Sequence, residues 1–135
     1  MSRAMLLAIS FVLCSQAVIA QTAVKPDCQS SELSMSEMTR CSDDRLSKLE
    51  ADLKREYELV LASAADDPKL ARAIKSTEDA WIAYRAQLVD IAFPASGPHA
   101  EHGSALIVEK NELIYDLTSE HIKHLRELRH IYSGK

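Results

Sequence analysis

The chain predicts an all-α fold, an elongated antiparallel bundle of three main helices with a short disulfide-tied N-terminal arm. Three observations carry that expectation. Only three of 135 residues are glycine, against a usual share of about 7%, which leaves little material for the many tight turns of a sandwich or barrel. Beyond residue 34 the apolar positions recur at intervals of three and four, as on one side of a helix. Strong helix punctuation separates these periodic stretches. At 47% hydrophobic and 27% charged residues the chain is neither a disordered tail nor a collagen-like repeat.

The first segment is an address rather than a fold element. Arg3 precedes an uncharged run from Ala4 to Val12, and Gln16-Ala17-Val18-Ile19-Ala20 closes it with small residues, the pattern of a secretory signal peptide cleaved after Ala20. Ser10, Ser15 and Gln16 interrupt the apolar run, so it is read as a signal rather than a membrane span. Residues 1–20 are therefore assigned to the signal peptide, 21–33 to an arm and 34–132 to a helical domain, in a secreted or periplasmic protein. Cleavage removes Arg3 and Cys14 and makes the net charge one unit more negative than the −4 of the full chain. An acidic surface argues against general nucleic-acid binding and suits a cationic partner.

Two cysteines, Cys28 and Cys41, remain in the secreted part. In an oxidising compartment they are expected to pair, tying the arm to the first helix and contributing on the order of 3 kcal/mol by closing the intervening loop.

The first helix starts at Ser34-Met35-Ser36-Glu37, which has the capping-box pattern. Leu46, Leu49, Leu53, Tyr57, Val60, Leu61 and Ala64 form its apolar stripe, and Ser42-Asp43-Asp44 marks a place where a short leading turn could break from the long helix. Asp66-Asp67-Pro68 supplies an N-cap and a proline at the first helical position of the second helix. Its stripe is Leu70, Ile74, Thr77, Trp81, Tyr84, Leu88 and Ile91, and the short connection predicts antiparallel packing on the first helix. Residues 93–103 hold two prolines and two glycines and form a loop. The third helix runs from about Ser104 to His130, with Ile107, Ile114, Leu117, His121, Leu125, Leu128 and Tyr132 on its apolar side.

Chemistry is sparse. His121 and His124 stand at helical i,i+3 spacing, without the further ligands of a zinc site; a hydrogen-bonded structural histidine is the expectation for His121. The carboxylate pairs Asp43/Asp44, Asp66/Asp67 and Glu78/Asp79 read as caps or solvated faces rather than acid–base machinery. There is no Gly-x-Ser-x-Gly turn and no glycine-rich phosphate loop. Neither enzyme activity, nor a cofactor, nor a metal is expected. Ala80-Trp81-Ile82-Ala83-Tyr84-Arg85 is the distinctive string: Trp81 and Tyr84 serve as packing anchors, and Arg85 spans to an acidic side chain of another helix or presents its guanidinium to a partner carboxylate.

With Cys28, Glu37-Met38-Thr39-Arg40-Cys41, Leu53, Tyr57, Gly103-Ser104 and Leu117-Thr118, that string resembles the LprI-like lysozyme-inhibitor family of small secreted bacterial helical proteins. The resemblance covers Cys28 to about Leu128. It implies a non-enzymatic protein that inhibits lysozyme-type hydrolases in the bacterial envelope, with a cationic lysozyme or a secreted toxin as partner. An immunity-type protein, or a structural or assembly module whose long helices pair with another chain or with a second copy, is the alternative. The candidate partner-binding residues are Arg85 and, in the loop, Ser96, His99 and His102. The chain departs from the family pattern at Ala86, at Val89 and Leu113 in place of a second cysteine pair, and at His121 in place of an arginine after Leu117-Thr118.

Overall fold

The computed structural model describes residues 26–95 and 103–133. The expected signal peptide, residues 1–20, and the loop residues Ser96, His99 and His102 lie outside them. The elements are α1 (Met35–Ser63), α2 (Pro68–Ala92) and α3 (Gly103–Ser133), and no strand occurs among the described residues. None of the described helices is long and apolar enough to cross a membrane.

Local chemistry sets each boundary. At α1 the amide of Ser34 donates to Glu37 Oε2 at 2.9 Å and the Ser34 hydroxyl accepts from the Glu37 amide, a reciprocal box that satisfies two otherwise unpaired donors. The Ser34 hydroxyl lies 2.6 Å from the same carboxylate, and these hydrogen bonds hold the Glu37 carboxyl below its ordinary pKa. The break considered at residues 42–44 does not occur: α1 is continuous over 29 residues, roughly 43 Å of helix. Ser42 turns its hydroxyl back to the Thr39 carbonyl at 2.8 Å and is buried, so it costs the helix no exposed competition for the backbone. Asp67 caps α2 by accepting from the Lys69 and Leu70 amides at 3.0 Å, with Pro68 in the first turn. At the other end the Phe93 amide donates to the Val89 carbonyl and Pro94 follows. α3 starts one residue earlier than expected, at Gly103, whose φ of +56° only glycine adopts freely.

Cross-helix contacts give the topology. Asn111 of α3 donates to Ser42 and Asp43 near the start of α1, while Arg126 and Arg129 reach Glu56 further along both helices, so α1 and α3 run parallel. α2 runs against both: its Arg85 meets Glu50 and Thr118, and its earlier residue Glu78 meets His121. Leu53, Val60 and Ala64 of α1, Ile74 of α2, and Ile122 and Leu125 of α3 form the core, flanked by Tyr57, Leu61, Leu70, Trp81 and Leu128.

α1 and α3 are the closely packed pair, rather than α1 and α2. α2 meets the pair through Trp81, Glu78 and Arg85, whose side chains reach His121, Glu50 and Thr118. The buried side of α2 is correspondingly turned from its apolar stripe. Thr77 is exposed, Tyr84 is 55% exposed and Ile91 76%, while Glu78 and Val89 are buried and Arg85 is half-buried. Ile107 of α3, also placed in a stripe, is exposed.

The arm is tied as its cysteines imply. Cys28 and Cys41 form a disulfide with a Cα–Cα separation of 5.7 Å, across 13 positions of sequence.

Candidate functional site

The face of α2 that looks at α1 and α3 carries a chain of polar and aromatic side chains. One helical turn separates Glu78 from Trp81 and another separates Trp81 from Arg85, so all three share a side of the helix. Trp81 stacks on His121 of α3 with ring centroids 3.9 Å apart and planes within 6°. The imidazole in turn places Nε2 2.8 Å from Glu78 Oε2, where its N–H donates to the carboxylate. Glu78 and His121 are both nearly enclosed, their side chains 9% and 8% exposed. Burying such groups is tolerated because each satisfies the other.

Arg85 completes the network on the other side. Its Nη1 donates to Glu50 Oε1 at 2.5 Å and to Thr118 Oγ1 at 2.8 Å, and its guanidinium carbon lies 4.7 Å from the centre of the Trp81 ring. The acidic side chain that Arg85 was expected to reach on a neighbouring helix is thus Glu50 of α1. The Arg85 side chain is 19% exposed, so a partner would meet only part of the guanidinium, with Nη1 already engaged.

A second buried carboxylate, Glu56, sits against Arg126 Nε at 3.4 Å and Arg129 Nη1 at 3.3 Å, both partly exposed. Near the arm, Arg45 pairs with Glu112 and lies 4.3 Å over the Tyr115 ring.

Two concavities are large enough to matter. A cleft of about 550 Å³ lies between the arm and the first halves of α1 and α3, bordered by Cys28, Leu33, Met38, Arg45, Lys48 and Val108. A groove of about 330 Å³ lies between α2 and α3, walled by Leu70, Ile74, Trp81, Leu125 and Leu128, with Glu78 and His121 in its lining. The groove combines an apolar wall with a buried polar pair, the usual make-up of a binding site. The imidazoles of His121 and His124 part company: the first is buried on Glu78, the second is exposed 3.7 Å from Glu120. Among the described residues no group of three or more histidine, cysteine, aspartate or glutamate side chains is placed to hold a metal ion.

This geometry falls inside a recognisable unit. A family model described as Lysozyme inhibitor LprI matches residues 27–125. The chain belongs to the LprI lysozyme-inhibitor family. No curated protein and no solved structure matches it. The LprI match begins beside Cys28 and ends at Leu125, so it takes in the disulfide, the Trp81–His121 stack and both arginine bridges from Arg85. In this LprI-family chain, His121 is the residue that meets Glu78.

Of the residues singled out from sequence, Arg85, Trp81 and His121 come together in one network, whereas Tyr84 points away from it. Glu78 was placed on a solvated face with Asp79; the structure buries Glu78 and leaves Asp79 exposed beside Lys75 at 3.7 Å. Glu50 and Glu56 were not singled out, and Thr118 was named only within the Leu117-Thr118 pair of the family resemblance. The available signal was the seven-residue spacing of Glu78 and Arg85 around Trp81, which keeps two opposite charges on the tryptophan's side of the helix.

Proposed function

We propose that this protein is a non-enzymatic, secreted or periplasmic binding protein that inhibits a lysozyme-type cell-wall hydrolase. The match to the lysozyme-inhibitor family over residues 27–125 carries this proposal. The chain's acidity supports it, since 20 Asp and Glu against 16 Lys and Arg favour encounter with a cationic enzyme. Glycoside hydrolases of this kind work with a pair of carboxyl groups in a cleft, and occlusion of that cleft is sufficient for inhibition without any chemistry by the inhibitor. Residues 1–20 act as the signal that delivers the chain, and the loop residues Ser96, His99 and His102 are candidates for part of the contact.

Purified protein beginning at Gln21 is titrated against several lysozymes in a turbidity assay on cell-wall suspensions. Dose-dependent loss of lysis, saturating at a fixed molar ratio, is the expected result. Undiminished lysis by every lysozyme at micromolar protein overturns the proposal, and stable self-association in a sizing experiment would then favour a structural or assembly role.

A further inference from the structure

The α2–α3 groove has a charge character that its apolar walls conceal. Its lining holds one carboxylate, Glu78, and two imidazoles, His121 and His124, but no lysine or arginine. Arg85, on Trp81's side of α2, is committed to Glu50 and Thr118. Among the described residues, the hydrogen bonding of Glu78 is to His121 at Oε2, which leaves Oε1 as a second acceptor. A carboxylate enclosed to this extent gains most from a cation that brings its own apolar covering, because water is largely excluded and charge-assisted hydrogen bonds strengthen there.

Size and shape narrow the occupant. At about 330 Å³ the groove stands at the small end of ligand sites, which run from about 300 to 1,000 Å³. It holds one or two side chains, not a helix. Leu70, Ile74, Leu125 and Leu128 would cover the aliphatic stem of an arginine or lysine and an apolar neighbour, the way long basic side chains lie along apolar surface.

We propose that the α2–α3 groove is a receptor for a basic side chain borne on an apolar segment of a partner protein, with Glu78 as the acceptor. The proposal rests on the inhibitor function only for the partner's identity, a basic hydrolase; the groove chemistry is tested without it.

Trp81 is the only tryptophan in the chain and forms part of the groove wall, so its fluorescence reports occupancy. Protein beginning at Gln21 is titrated with benzamidinium, with benzoate as the anion of similar shape and benzyl alcohol as the neutral one. A saturable change with benzamidinium alone is expected, weakened roughly ten- to a hundredfold in Glu78→Gln, as loss of a charge-assisted hydrogen bond predicts. Should Glu78→Gln lose its helical circular dichroism, Thr77→Arg decides: Thr77 is exposed on the groove wall, and a guanidinium planted there should block benzamidinium while the fold persists. No saturable change, an equal response to benzoate, or unaltered binding in the folded variants overturns the proposal.

The same Thr77→Arg protein is then compared with wild type in the lysis assay. Loss of inhibition supports the groove as the partner site. Full inhibition by a variant that no longer takes benzamidinium overturns that assignment while leaving the inhibitor function standing. A wild-type protein that takes benzamidinium but inhibits no lysozyme supports the receptor and removes lysozyme as the donor of the side chain.

Discussion

Replacing Arg85 by methionine tests whether the most distinctive string in the chain serves the fold. Methionine keeps an unbranched apolar stem, so the change removes mainly the guanidinium. Three contacts go with it. Thr118 is fully buried, and loss of the Nη1 donor 2.8 Å away leaves its hydroxyl short of a partner at a cost of about 1–3 kcal/mol. The Glu50 side chain is 39% exposed, so water takes over much of the guanidinium's place and this pair contributes only about 0–1 kcal/mol. The contact with the Trp81 ring adds about 0.5–1 kcal/mol. These contributions overlap, and a loss of about 2–4 kcal/mol is expected, a large share of the roughly 5–15 kcal/mol of a small domain. At about 4–8 °C per kcal/mol for a domain of this size, Tm should fall by roughly 10–30 °C in a far-ultraviolet circular dichroism melt. Glu50→Gln should stay within about 1 kcal/mol of wild type. In a double-mutant cycle, Arg85→Met and Thr118→Val should couple by at least about 1 kcal/mol, because each removes one end of the same bond. Arg85→Met within about 0.5 kcal/mol of wild type, or strict additivity with Thr118→Val, would show that the bridge does not hold the fold and that the guanidinium is available to a partner.

Three other perturbations have defined outcomes. His121→Leu strands the Glu78 carboxylate in its enclosed site and should cost about 3–5 kcal/mol in urea unfolding, whereas adding Glu78→Leu should recover most of that loss, since an apolar pair of similar size replaces a buried polar one at little cost; a double variant no better than the single one would refute this. Replacing Cys28 and Cys41 together by serine should lower stability by about 3 kcal/mol with α-helical circular dichroism retained, because the crosslink ties the arm to α1 rather than joining the helices. The Glu37 carboxyl is held below its ordinary pKa first by the Ser34 side chain and then by the Ser34 backbone; a depressed folded pKa means the cap's contribution is present above the unfolded value and fades as pH falls through the folded one. The protection of the Ser36 to Met38 amides, taken relative to the intrinsic exchange rate at each pH, should therefore fall in acid, and Glu37→Gln should flatten that dependence.

What the sequence reveals and what it hides divide along the range of the interactions involved. The Ser34–Glu37 box, the Asp67-Pro68 start and the breakers after Phe93 act over two to four residues, so their chemistry is complete within the string that encodes it. The arm's disulfide is legible because only two cysteines lie beyond residue 20. The buried side of α2 is different. Tyr84 and Ile91 extend a regular apolar spacing, yet they face outward, because Glu78 and Arg85 compete for the inside and win through partners 43 and 35 residues distant. Hydrophobicity alone assigns a charged residue to the surface; it does not register that a particular histidine or threonine on another helix makes burial favourable. His121, lying in an apolar stripe, shows the reverse case, where the place of a polar residue in the pattern points to a hydrogen-bonded interior role, though not to its partner.

The polar contacts of α2 also determine where the groove lies. An apolar helix resting on two others has neighbouring registers of similar energy, and α2 is the helix that packs least closely. Glu78 and Arg85 are seven residues apart, roughly 10 Å along the helix, and they are matched in antiparallel order by His121 and Thr118 of α3, with the long arginine stem closing the difference. Sliding α2 by one turn would carry Glu78 away from the imidazole that donates to it and leave an enclosed carboxylate without a donor, a penalty of several kcal/mol. Mispairing is thus costlier than correct pairing is favourable, which is how a buried polar contact specifies register. With the register held, Glu78 is fixed among the residues that line the apolar groove, so the interaction that orders the bundle also places the carboxylate that a basic partner would meet.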